Sequence, residues 1–349
     1  MPGFMSPSRW IAPVLAALVL AACSAPPVRV DFAQTAAAGN VWPRPPDPPR
    51  ILLLGEFTTP GDIGIAKSAW SRIADFIAGS RVDALLLPMA VAASDGGERI
   101  YVADPEAQAV HLFDRARGRY ERLVPEGRKP LPSPVGLALS PQGRLFVTDS
   151  QLGQVFVAEP GSSILTPLPI KEPLAQPTGI AYEPASGRLF VAETAAHRVS
   201  VFEPSGELLQ RIGHRGNGEG EFNFPTYLWV TDDGLQVTDS LNFRVQLFDA
   251  EYRFEGSLGA VGSSPGSLPR PKGVATDASG HVYVIDALLH DLQVFDPGGA
   301  LLLALGAQGT LAGEFWLPSG LWIARDDTIY VADSRNRRVQ VFRYVGPKS

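Results

Sequence analysis

The sequence predicts an all-β protein made of six repeated four-stranded units, and three observations lead there. A proline opens each unit, at Pro88, Pro134, Pro177, Pro225, Pro271 and Pro318, with spacings of 46, 43, 48, 46 and 47 residues. Each proline is followed by short apolar runs separated by turns that often carry glycine, as at Gly143, Gly187, Gly234 and Gly280, which is the grammar of strands and hairpins. An acid recurs at one fixed place in every unit: Asp104, Asp149, Glu193, Asp239, Asp286 and Asp333. Self-similarity at such a period marks an architecture whose units bury a core only by stacking on their neighbours.

The elements follow in chain order. Arg9 precedes an apolar run from Ile11 to Cys23, short for a bilayer span but suited to the core of a secretory signal. A start at Met5 would shorten the region before it. The run ends in Leu20-Ala21-Ala22-Cys23, which resembles the lipobox of bacterial lipoproteins. That resemblance implies removal of residues 1–22, acylation of Cys23 (diacylglycerol and palmitate) and, because Ser24 rather than Asp follows, an outer-membrane anchor. The domain would then face the periplasm or the cell exterior. Several acyl chains suffice for stable anchoring. Cys23 is the single cysteine, so there is no intrachain disulfide and no cysteine-built haem or zinc site. Residues 23–50 are rich in proline and without period. They read as a lipidated cysteine and a semi-extended tether reaching up to roughly 80 Å.

Residues 51–346 form the repeat domain. Four antiparallel strands at a period near 45 residues fit one blade of a β-propeller, so the expectation is a six-bladed ring. The last unit supplies three strands. The stretch ILLLG (51–55) resembles LLLALG (301–306) and is expected to complete the sixth blade as an N-terminal latch strand, removing a free edge. An insertion over 61–79 places Ala66, Ala69, Trp70, Ile73 and Ile77 on one stripe, opposite Lys67, Ser68, Ser71, Arg72 and Asp75. This is an amphipathic helix closed by Gly79. A brace packed over one rim is expected first, a lid or docking helix second.

Pro-X-Gly, then Tyr-Val-Ala-Asp, then Asn-X-Arg-Val-Gln-Val-Phe, as in the sixth unit, resembles the NHL repeat, and the chain is similar to bacterial NHL-repeat lipoproteins. The resemblance implies the propeller fold and a binding role more often than a catalytic one. It offers envelope proteins, such as multihaem cytochromes and porins, as partners.

Two site readings follow. The acids, with Arg198, Arg244 and Arg338 a few residues on, could be a charged ring. They are read instead as scaffold, with acids accepting turn amides and arginines pairing with them. Function is then expected where repeats differ: Lys67, Trp70 and Arg72 on the insertion, and Tyr227 and Lys272 at the start of inner strands. Trp229 and Trp322 read as packing residues. The loop GHRGNGEGEF (213–222) lacks the strand-to-helix context of a phosphate cradle. The inner strands carry no Asp, Glu, Asn or His except at their ends, as Glu183 and Asp277. The five histidines (His111, His197, His214, His281 and His290) are read as surface residues rather than ligands. No cofactor is expected. A net charge of −6 argues against nucleic acid. The expected protein is a monomeric, membrane-anchored binding scaffold. The alternative is a lactonase-type hydrolase or lyase with a metal site built from loops.

Overall fold

The structure, a computed structural model, describes residues 40–65 and 83–346. It opens with β1 (Val41–Trp42) and β2 (Ile51–Phe57). The first repeat unit holds β3 (Ala90–Ala93), β4 (Arg99–Asp104), β5 (Ala109–Asp114) and β6 (Arg119–Pro125). The second holds β7 (Pro134–Leu139), β8 (Leu145–Asp149), β9 (Gln154–Ala158) and β10 (Ile164–Pro167). The third holds β11 (Pro177–Tyr182), β12 (Leu189–Glu193), β13 (Arg198–Phe202) and β14 (Leu208–Ile212). The fourth holds β15 (Pro225–Thr231), β16 (Gly234–Asp239), β17 (Arg244–Phe248) and β18 (Phe254–Leu258). The fifth holds β19 (Pro271–Thr276), β20 (Val282–Asp286), β21 (Asp291–Phe295) and β22 (Leu301–Leu305). The last supplies β23 (Leu321–Ile323), β24 (Thr328–Asp333) and β25 (Arg338–Tyr344).

Within units the strands pair antiparallel in chain order. The first two units are joined at their outer edges by a parallel pair, β6 with β10, so they form one eight-stranded sheet. The first strands of successive units touch in chain order, and β23 touches β3. The described residues thus make an all-β, propeller-like fold. The apolar residues explain it. Each unit presents apolar residues on both faces, and the clusters lie between neighbours: Phe113 and Val91 against Tyr330 and Val341, for example, or Phe190 and Val199 against Leu228 and Val237. Burial of each such side chain contributes about 1.5–3 kcal/mol.

β2 pairs along β25 from Ile51↔Tyr344 to Phe57↔Val339. Its residues divide between two clusters: Ile51 and Leu53 face the fifth unit, Leu54 and Phe57 the first. The expected tether ends earlier than residue 50, because β1 pairs with β2 and Trp42 packs on Phe342 at 6.0 Å. The large indole finds an apolar shelf there, so 40–50 is docked chain. Residues 1–39, with the signal segment and Cys23, lie outside the described residues.

The helix expected from residue 61 does not begin there. Pro60–Ile63 is a 3-10 turn ended by Gly64 at φ 79°, a left-handed conformation that stops a helix. The remainder of that insertion, with Lys67, Trp70 and Arg72, lies outside the described residues.

Candidate binding site

The recurring acids come first, because they mark one face of the ring. Each lies at the end of its unit's second strand, beside the proline that opens the first, as in Pro134↔Asp149 and Pro225↔Asp239. Asp104 accepts the Leu86 amide at 2.6 Å, Asp149 that of Ser133 at 2.9 Å and Glu193 that of Ala175 at 3.0 Å. Asp239 accepts the Asn223 amide at 2.6 Å, Asp286 that of Arg270 at 2.7 Å and Asp333 that of Trp316 at 2.8 Å. Every one of these amides sits one or two residues before the unit's proline. Acid and proline are one device that fixes the entry of the inner strand.

The other oxygens of these acids split the units into two kinds. In units one, two and five the acid also closes its own turn, accepting from Ala107, Leu152 or Leu289, each at 2.9 Å. In units three, four and six it takes the arginine Nε instead: Arg198 at 2.8 Å, Arg244 at 3.0 Å and Arg338 at 2.8 Å. Burial opposes ionisation of Asp104 and Glu193. Hydrogen bonds from His111 and the Leu86 amide in the first, and from Arg198 and the Ala175 amide in the second, still hold both carboxyls below their usual range. These acids are buried and engaged, so the repeated pattern leaves little for an incoming substrate.

Threonine and serine hydroxyls stitch the units to one another. Thr194 donates to the Pro225 carbonyl at 2.6 Å, Thr238 to Lys272 at 2.8 Å and Ser334 to Pro88 at 2.7 Å, the last closing the ring. The repeat motif does not mark these hydroxyls, nor Gln246, Gln293 and Gln340. The sequence signal for the glutamines is their recurrence in Val-Gln-Leu, Leu-Gln-Val and Val-Gln-Val of the third strands, where all three prove fully buried.

The open space is on the axis. A cavity of about 1080 Å³ is lined by the inner strands and reaches the opposite face, where the first and second strands of each unit turn. The inner strands give it Ala, Val, Leu and Ile side chains, with Tyr227, Trp229 and Trp322 beside them. Trp229 and Trp322 meet edge to face at 5.3 Å and 78°. The Trp322 indole N–H is buried with no hydrogen-bond partner among the described residues, an unpaired donor that costs free energy until something accepts from it. Tyr227 crosses the axis to donate to the Met89 carbonyl at 2.9 Å, and burial pushes its phenol up to about 12. At the mouth stand Asp95, Glu98, Asp232, Asp233 and Glu255, with Arg99 and Arg325.

The two tryptophans therefore pack against the clusters of neighbouring units and face the cavity at once. Tyr227 is part of the cavity wall, and its hydroxyl is held across the axis. Lys272 is half-buried at the proline end of β19. Burial, then the charge of Arg270, lowers its pKa.

The histidines correct another expectation. His111, His197 and His281 are buried rather than on the surface. His111 lies between Tyr120 at 2.8 Å and Asp104 at 3.5 Å, and His281 meets Asp277 at 2.9 Å. His197 and His290 each accept an amide from the next unit's entry loop, at Phe224 and Leu317. An imidazole can serve as a buried hydrogen-bond partner, which the alternation pattern alone did not distinguish from a surface position. Among the described residues no group of three or more His, Cys, Asp or Glu is arranged to hold a metal ion.

Comparison with known proteins now bears on this geometry. Residues 179–266 match the family described as DUF5128, a 6-bladed beta-propeller, and residues 315–342 match the NHL repeat. The chain carries an NHL repeat. The chain is also similar to the peptidylglycine alpha-amidating monooxygenase of Rattus norvegicus, 31% identical over 147 residues. That match covers 38% of this chain and only 15% of the rat protein. Among solved structures, an auxiliary nutrient binding protein from Bacteroides thetaiotaomicron superposes with a TM-score of 0.58 at 12% identity, covering 75% of this chain and 70% of that one. Virginiamycin B lyase from Staphylococcus aureus superposes with a TM-score of 0.53 at 14% identity, covering 74% and 95%. At these identities the superpositions speak for the fold.

Proposed function

We propose that this chain is a six-bladed NHL-type propeller that acts as a non-catalytic binding scaffold, carried on the envelope by a lipid at Cys23. On this reading the sheets count as six blades, the last closed by β2. The observation that carries the binding role is the axial cavity. It offers apolar side chains from the inner strands, two tryptophans and an indole donor with no partner among the described residues, behind a polar mouth, which is the make-up of a ligand site. Meanwhile the repeated acids are spent on holding the scaffold. The likeness to a nutrient binding protein is compatible with this role, and the lipobox resemblance supports the anchor. An envelope protein or a small extracellular ligand is the proposed occupant.

The test is a photo-crosslinking amino acid at Arg325, on the cavity mouth, and at Glu106, on the opposite face, in the native lipidated protein in cells. The expected outcome is one reproducible envelope adduct from the Arg325 position, lost when Cys23→Ala blocks lipidation. No adduct from either position, combined with a melting temperature raised by Ca²⁺ or Zn²⁺ and lowered by chelator, would overturn it in favour of a lactonase-type enzyme, since a ligand of the native state stabilises by mass action.

A further inference from the structure

The third unit lacks a segment that the fourth and sixth possess, and a groove of about 370 Å³ lies where it is missing. In the sixth unit the entering loop, residues 306–315, arches over the third strand. Arg338 donates to its carbonyls at Thr310, Leu311 and Glu314, at 3.0, 2.9 and 2.8 Å. In the fourth unit Arg244 donates to Gly218 and Glu221 of loop 213–222 at 2.6 and 3.1 Å. Both loops begin at a glycine because a Cβ at Gly213 or Gly306 would collide with Phe222 or Phe315, the ring folded back beneath the arch.

The loop entering the third unit, between Pro167 and Pro177, is three residues shorter than those between Ile212 and Pro225 or Leu305 and Pro318. Leu174 still docks at the position of Phe222 and Phe315, but the glycine-rich arch is absent. Arg198 keeps its place against Glu193, and no carbonyl among the described residues accepts from it. Its side chain is 30% exposed, against 15% for Arg244 and 6% for Arg338.

Charge on the groove walls selects the occupant. Lys171, Arg198 and Arg211 face Glu172, Glu193 and Glu207, and Arg211 is already paired with Glu172 at 3.1 Å. A balanced wall does not attract an anion strongly. It suits the neutral dipoles of a peptide backbone, which is what the same arginine binds in units four and six. We infer that this groove is a peptide-binding site. A turn-forming, glycine-containing segment of a partner protein lays its carbonyls on the Arg198 fork, in the place the chain's own loop takes elsewhere. The site is separate from the axial cavity.

The test uses the chain's own arch as ligand. A fluorescein-labelled peptide of residues 306–315, GAQGTLAGEF, is titrated into the full chain and followed by anisotropy. Saturable binding is expected, weakened about tenfold or more by Arg198→Ala, the scale of charge-assisted hydrogen bonds. Arg198→Lys should behave like Arg198→Ala, because an ammonium cannot reproduce the fork. Replacing residues 168–176 by residues 213–224 should fill the groove from within and abolish binding. Arg325→Ala, at the cavity mouth, should leave binding unchanged. Absence of saturable binding, binding that survives in Arg198→Ala, or wild-type affinity in Arg198→Lys would each overturn the inference. Should the loop replacement fail to fold, the two Arg198 variants decide alone.

Discussion

Units three, five and six carry an acid at the same place in the second strand, Glu193, Asp286 and Asp333, but surround it differently. Unit six is complete: Arg338 bonds Asp333, three loop carbonyls and Glu56, while Gln340 holds the Glu314 carbonyl at 2.7 Å. Unit three has the arginine without the arch. Unit five has an arch, held by Gln293 through the Ser267 carbonyl at 3.0 Å, but Asp291 stands where the others have arginine. The repeat is therefore assembled from separable parts. The acid that fixes the inner strand is required in every unit, whereas the arginine and the arch can be lost one at a time.

The largest expected effect breaks the complete unit. Arg338→Leu leaves Asp333 buried without its cation and strips donors from three carbonyls. Removing one partner of a buried pair costs about 3–5 kcal/mol. Arg198→Leu, where the arginine serves one carboxylate and is part exposed, should cost about 1–2 kcal/mol. Urea denaturation of both variants checks this. Equal losses would mean that the arch contributes nothing to the hold on the arginine.

Unit five is tested by pH. Burial raises Asp291 to about 7, above its unfolded value near 3.9. Between those values the folded protein holds a proton that the unfolded chain releases. The stability this contributes is full below about pH 4 and is lost as the pH rises through 7. Asp291→Asn keeps the neutral form throughout. It should match the parent near pH 4 and exceed it at pH 8 by about 4 kcal/mol. Melting curves at the two pH values measure the difference, and an unchanged gap between them would place Asp291 in a more solvated setting than the structure shows.

Much of this fold was legible in the sequence because its cause is local and repeated. The proline, the acid and the alternating apolar positions each recur at a fixed spacing, and each answers a need that every unit has. The arginines at 198, 244 and 338 could be read as partners of the acids for the same reason. What could not be read is the relation between neighbours. Thr194, Ser240 and Ser334 look like turn residues until the next unit's carbonyl is beside them. Trp229 and Trp322 look like ordinary packing residues, because only ring closure brings units four and six across an axis from each other. The groove beside Arg198 was hidden in a length: three residues fewer in one connection change no motif, yet they remove the arch.

The smallest effect sharpens what closes the last unit. Glu56, on β2, meets Arg338 at 2.7 Å, but its side chain is 43% exposed. Such a pair contributes about 0–1 kcal/mol and is screened by salt. The bond between the two ends of the chain should instead rest on the β2–β25 ladder and on Ile51, Leu53, Leu54 and Phe57, all of which are buried. Glu56→Gln keeps an acceptor oxygen facing Arg338 and should lower stability by less than about 1 kcal/mol, with little change between low and high salt. A loss comparable to that of Arg338→Leu would shift the closure from apolar packing to the ion pair. It would also make unit six resemble unit three, whose arginine is held by its carboxylate, more than unit four, whose arginine also holds backbone carbonyls.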